Sequence, residues 1–143
     1  MITVLTILRQ KGCGVFHVAP DATVLDALRV MAAHNCGALV VLEGNRPLGL
    51  FSERDYARKV VLLGRTSMET RVRDVMSAPL IDVGPDIGVD RCMSLMTEHR
   101  CRHLLVLDHG HMAGVVSIGD VVKAVIDDQQ STIDQLGHYI AGY

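Results

Sequence analysis

The chain contains no tryptophan, and its aromatic residues are three tyrosines and two phenylalanines. That scarcity disfavours base stacking on aromatic platforms, a common way of holding single-stranded nucleic acid. Excess positive charge is also missing: 14 Lys and Arg against 16 Asp and Glu leave a net charge of −2, without the basic footprint of a phosphate-backbone binder. The four cysteines include no CxxC pair, which argues against a zinc ribbon or a disulfide framework. No apolar run approaches the roughly 18–20 residues of a membrane span. The longer runs, such as residues 38–42, have the length of a buried strand. Residues 1–11 lack a basic leader followed by a long apolar segment, so no signal peptide is expected. Neither nucleophile elbow, Walker loop, HExxH nor DxDxDG pattern occurs, and no enzyme, catalytic residue or catalytic cofactor is expected. What is present is 143 residues, 49% of them apolar, enough for one domain or two small ones around an aliphatic core. The expectation is a soluble, cytoplasmic protein with neither nucleic-acid nor membrane partner.

The dominant feature is an internal repeat. Shifted by 65 residues the sequence lies on itself without a gap, and residues 15–63 match 80–128 at 14 of 49 positions. Pro20-Asp21 falls on Pro85-Asp86, Met31 on Met96, His34 and Cys36 on His99 and Cys101, and Gly49, Ser52 and Asp55 on Gly114, Ser117 and Asp120. Each copy has a short extended piece (15–18; 80–83), a Pro-Asp turn, and apolar residues at helical spacing from Val24 or Val89. An aliphatic strand follows (38–42; 103–107), then a polar turn (43–47; 108–111), a second strand (48–51; 112–116) and a helix (53–63; 118–129). The order is β-α-β-β-α, twice. The expected organisation is an N-terminal segment (1–14), a first repeat (15–64), a linker (65–79) with a helical turn at 72–76, a second repeat (80–129), and a tail (130–143) with a short helix at 132–141. About fifty residues per repeat make too small a core to stand alone. The expected fold class is therefore α/β (α+β), with two repeats packed sheet to sheet about a pseudo-twofold axis and a cleft between them.

Between the last strand and last helix of each copy stands Gly-x-x-Ser-x-x-Asp: Gly49-Leu50-Phe51-Ser52-Glu53-Arg54-Asp55 and Gly114-Val115-Val116-Ser117-Ile118-Gly119-Asp120. With the paired β-α-β-β-α units, this resembles a tandem cystathionine-β-synthase-type (CBS) domain pair, or Bateman module, in its stand-alone bacterial form. The resemblance implies a regulatory sensor that binds an adenosine-containing ligand between its repeats: AMP, ADP, ATP, or a dinucleotide such as NAD. It also implies a homodimer that passes its signal to a separate effector protein.

Ser-x-x-Asp is first of all a capping box, with hydroxyl and carboxylate satisfying reciprocal amides. The same helix start suits a phosphate, and the carboxylate can accept both hydroxyls of a ribose. The expected nucleotide contacts are thus Ser117, Ile118, Gly119 and Asp120 in the second repeat, and Ser52, Arg54 and Asp55 in the first. By the resemblance, the basic strand entry at Arg102 and His103 contacts phosphate. Lys11 and Gly12, just before the first repeat, are candidates to line a phosphate path. With tryptophan absent, adenine must lie among aliphatic side chains, for which Leu80, Ile81, Val83 and Val116 are the candidates, with Val115. A competing reading is a metal or thiol sensor, since His99, Cys101 and His103 alternate at strand spacing and would share one face. Cys36 and Cys101 occupy equivalent places in both copies, however, where a small buried residue is expected, so no metal site is expected. A dimerisation module with empty clefts is the third reading.

Overall fold

In the computed structural model, which describes residues 2–12 and 14–140, the sequence repeat becomes a repeat of elements. Helix α1 (Val4–Lys11) comes first. The first repeat then supplies β1 (His17–Val18), α2 (Val24–His34), β2 (Ala38–Glu43), β3 (Arg46–Ser52) and the helix start α3 (Glu53–Asp55). The second supplies β4 (Asp82–Val83), α4 (Val89–His99), β5 (His103–Asp108), β6 (His111–Ser117) and α5 (Ile118–Ile140). Each repeat builds a mixed three-stranded sheet, ordered β1-β2-β3 or β4-β5-β6, with its first pair parallel and its second antiparallel. Even the irregularities repeat, with a bulge at Val41/Leu42 and its counterpart at Val106/Leu107. Both repeat helices end on a left-handed residue, Asn35 (φ 50°) and Arg100 (φ 52°). Asparagine tolerates that conformation; arginine adopts it less readily.

The cores follow from strand alternation and helical spacing. In the first repeat Leu39, Val41 and Phe51 pack under Val24, Ala27 and Met31. In the second, Leu104, Val106 and Val116 pack under Val89, Cys92 and Met96. Burying each such side chain contributes about 1.5–3 kcal/mol.

The segments that enter the repeats pack crosswise. Residues 15–80 form one compact unit, whereas those up to Gly14 join those from Ile81 onward in the other. Thus α1, which precedes the first repeat, covers the second: Val4 N–H donates to Ile87 O and Leu5 N–H to Pro85 O. A short 3-10 turn at Val72–Asp74, which precedes the second repeat, covers the first: Val72 N–H donates to Ala22 O and Arg73 N–H to Pro20 O. The accepting residues, Ile87 and Pro85 against Ala22 and Pro20, are equivalent under the 65-residue repeat, while the donors stand 68 residues apart. The chain-order division expected above therefore differs from the packing.

Three further expectations are corrected. The hairpin turns are tighter, two residues each (Gly44-Asn45; His109-Gly110), because Arg46 and His111 already pair with Glu43 and Asp108. After α3 the first-repeat helix widens into a π-helix at Tyr56–Val61. Finally, α5 runs unbroken to Ile140, so the separate tail helix does not exist; Ala141 lies outside the described residues. No glycine or proline interrupts residues 120–136, and Gln130 bridges Asp134 at 3.1 Å along the helix.

The motif glycines owe their identity to the entering segments. A Cβ on Gly49 would stand 2.5 Å from the Ser77 carbonyl oxygen, and one on Gly114 would stand 2.5 Å from Leu8 Cδ2. The first obstacle is backbone, the second a side-chain methyl. Gly49→Ala is expected to cost about 2–3 kcal/mol in urea unfolding, and Gly114→Ala less, because overpacking costs depend on what can yield. Equal and small losses would show that neither segment is held close in solution.

Candidate functional site

The second-repeat motif gathers most of its expected residues at one end of its sheet. Ser117 ends β6, and its hydroxyl accepts from Asp120 N–H at 3.1 Å while Asp120 Oδ2 accepts from Ser117 N–H at 2.9 Å. This is the reciprocal cap read from the sequence. Ile118 N–H donates to Arg102 O at 2.8 Å, and His103 pairs with Ser117 across β5 and β6. Arg102, His103, Ser117, Ile118, Gly119 and Asp120 therefore share one neighbourhood.

Into it comes Lys11 from the end of α1. Its Nζ donates to Asp120 Oδ2 at 2.7 Å and to Val115 O at 2.9 Å. Gly12 ends α1 at a φ of 91°, its amide donating to Leu8 O. The other carboxylate oxygen, Asp120 Oδ1, accepts no hydrogen bond among the described residues. Partial burial alone would raise the Asp120 carboxyl. The hydrogen bond and charge of Lys11, together with the Ser117 amide and hydroxyl, outweigh it and hold the group below its ordinary value.

The first-repeat motif has the same cap and a different fate. Asp55 Oδ2 accepts from the Ser52 amide (3.0 Å) and hydroxyl (3.1 Å). Asp55 Oδ1 accepts from the Ser77 hydroxyl at 2.7 Å and faces Lys59 Nζ at 3.2 Å. Asp55 is only 6% exposed. Both oxygens are taken and the carboxylate is sealed, while Arg54 beside it lies at the surface. Sequence reasoning missed both sealing residues. Lys59 carried a signal, standing four residues after Asp55 on one helical face, where the second repeat has Ala124. Ser77 carried none, because its position depends on which repeat the linker packs against.

The aliphatic candidates divide. Val116 is wholly buried and Val83 nearly so, both within the second-repeat core. Alternation along β6 turns Val116 inward and leaves Val115 partly exposed, so of these two Val115 is the one that reaches the surface. Ile81 is also partly exposed, whereas Leu80 belongs to the other compact unit. The shared strand face for His99, Cys101 and His103 does not form either, because His99 ends α4 and Arg100 turns left-handed before β5 begins. Among the described residues no group of three or more His, Cys, Asp or Glu gathers as a metal site would require. Burial pushes the Cys92 and Cys101 thiols up, against backbone hydrogen bonds that lower them. Cys13 lies outside the described residues.

The CBS-domain family model matches residues 5–62 and 72–127, one copy over each repeat. The chain belongs to the CBS-domain family. As a CBS pair it is similar to the CBS domain-containing protein CBSX3, mitochondrial, of Arabidopsis thaliana. The two are 40% identical, over 98% of this chain and 72% of that protein. A CBS-domain protein from Burkholderia ambifaria is 48% identical and superimposes with a TM-score of 0.81, covering 90% of this chain and 96% of that one. A hexameric CBS-CP12 protein from bloom-forming cyanobacteria is 26% identical with a TM-score of 0.77, over 85% of this chain and 66% of that one. Among the described residues no helix is long and apolar enough to cross a membrane.

A depressed carboxyl stabilises the fold above its unfolded pKa, and that contribution is lost as pH falls through the folded value. Lys11→Met should therefore move the Asp120 titration upward relative to the parent, read from its carboxyl carbon by NMR. The accompanying loss of stability is no more than ~1 kcal/mol; it is full above the ordinary carboxylate range and fades below it. An unchanged Asp120 titration would show that Lys11 does not hold this carboxylate in solution.

Proposed function

We propose that this CBS pair, a regulatory module, binds one adenine nucleotide per chain at the second-repeat motif and does not turn it over. The candidates are AMP, ADP, ATP and an adenine dinucleotide such as NAD. The observation that carries the reading is the contrast between the two motif carboxylates: among the described residues one Asp120 oxygen accepts no hydrogen bond, whereas Asp55 has both oxygens engaged. In this reading Asp120 accepts the ribose hydroxyls and the start of α5 at Ser117 receives phosphate. Arg102 and Lys11 supply positive charge beside it, His103 supplies an imidazole for hydrogen bonding to phosphate, and the base lies against Ile81 and Val115. The absence of a catalytic motif supports binding without chemistry, and the lysine already beside Asp120 supports an anionic ligand. A module of this kind hands its state to a separate effector protein. The hexameric CBS-CP12 neighbour, and the exposed Val61, Leu62 and Leu63, support an oligomeric form, a homodimer at the least.

Calorimetric titration of nucleotide-free protein with AMP, ATP and NAD should find one site per chain for at least one of them. At 100 times the dissociation constant that ligand should add about 2.7 kcal/mol, a rise of roughly 5–10 °C in melting temperature. Asp120→Ala should weaken binding at least tenfold while costing about 1 kcal/mol of stability. Asp55→Asn, chosen to spare the buried network, should leave affinity within twofold. Two sites per chain would overturn the sealed reading of Asp55. No binding by any adenosine compound would overturn the nucleotide reading and leave a module that works through association alone.

A further inference from the structure

Asp120 is half engaged before any ligand arrives. A carboxylate oxygen offers two acceptor positions, and both of those on Oδ2 are filled, by Lys11 Nζ at 2.7 Å and by the Ser117 amide at 2.9 Å. The amide belongs to the cap that starts α5, and it stays. A ribose that donates one hydroxyl to each carboxylate oxygen finds Oδ1 open among the described residues and Oδ2 held by the lysine.

Lys11 is placed to give way. It is the last residue of α1, and other residues anchor that helix. Val4, Ile7 and Leu8 are buried, and the Val4 and Leu5 amides donate to Ile87 and Pro85. The Lys11 side chain is 43% exposed, and its flexible four-carbon stem lets the ammonium swing without moving the helix. Its second acceptor, the Val115 carbonyl at 2.9 Å, is neutral. The first repeat holds the same arrangement in a closed form. There Lys59 Nζ faces Asp55 Oδ1 at 3.2 Å and donates to the Met76 carbonyl at 3.3 Å. The Ser77 hydroxyl adds a bond to the same oxygen, and the Asp55 side chain is 7% exposed against 24% for Asp120. Each motif carboxylate is thus neutralised by a lysine shared with a carbonyl, and the Asp120 pair is the one within a ligand's reach.

We infer that Lys11 is a latch on the ribose acceptor: a nucleotide displaces its ammonium from Asp120 Oδ2 and takes it up on phosphate, so that the site favours nucleotides over the bare nucleoside. This rests on the nucleotide reading above. Displacement leaves the ammonium without an anion. Adenosine has none to offer, whereas a phosphate monoester carries about −1.5 to −2 charges at pH 7. An ion pair this exposed shifts an equilibrium by at most about fivefold, which sets the size of the effect.

The test is calorimetric titration of the full chain with adenosine, AMP and ATP, in the parent and in Lys11→Met. Adenosine should bind Lys11→Met about three- to fivefold tighter than it binds the parent. Whichever of AMP and ATP the parent binds better should bind the variant about twofold weaker, because the lysine lost from Asp120 is also lost from phosphate. The preference for nucleotide over nucleoside then falls about fivefold or more. Lys11→Arg should keep that preference, since a guanidinium holds either anion. Adenosine binding that is unchanged or weaker in Lys11→Met would overturn the latch. Equal tightening of nucleoside and nucleotide would overturn the transfer to phosphate. A crystal structure of the AMP complex that retained the 2.7 Å ion pair would overturn both. If none of the three compounds bound parent or variant, the nucleotide reading would fall and the latch with it. Nucleotide binding with an unchanged preference would overturn the latch alone.

Discussion

A carboxylate at the third position of a helix, drawn partly out of water, must be given donors, and both halves of this molecule are arranged around that demand. The preceding serine supplies an amide and a hydroxyl in each case, which is enough to start the helix. The remaining capacity is filled differently. In the first repeat Ser77 and Lys59 close over Asp55. In the second a lysine 109 residues away in sequence reaches Asp120 Oδ2, and the other oxygen accepts no hydrogen bond among the described residues. Duplication has produced two copies of one cap, and the segments laid over them have sealed one carboxylate and left the other partly exposed.

Those covering segments also explain why the motif glycines are glycines. At Gly49 a main-chain oxygen occupies the space a side chain would need, and at Gly114 a leucine methyl does. From the sequence alone, either could be taken as room for a bound molecule to approach. The structure fills both spaces with the protein itself, a more economical reason for the residue and one that ties the motif to the entry of the chain.

Much of this was legible beforehand, because repeat symmetry and hydrophobic spacing are local properties. Val24, Ala27 and Met31 announce a helix, and residues 38–42 announce a buried strand, whatever surrounds them. The capping pairs were legible for the same reason. What could not be read depends on long-range choice. The contact between Lys11 and Asp120 spans 109 residues and exists only because α1 packs on the second repeat. The depth of Val116 depended on which side of β6 faces the core, and the continuity of α5 on weakly helical residues, Ser131 and Thr132, that their neighbours carry along.

The crosswise packing of the entering segments also sets an order in time. The unit formed by residues 15–80 is contiguous, so every part of its core has been made once Leu80 leaves the ribosome. The other unit needs both α1, which precedes residues 15–80, and a sheet and helix that follow them. Until then α1 is an amphipathic segment with Val4, Ile7 and Leu8 uncovered. The chain thus carries α1 uncovered through the synthesis of the whole contiguous unit before the core that α1 belongs to can close. Loss of the first dozen residues would accordingly be felt in the repeat farthest from them in sequence.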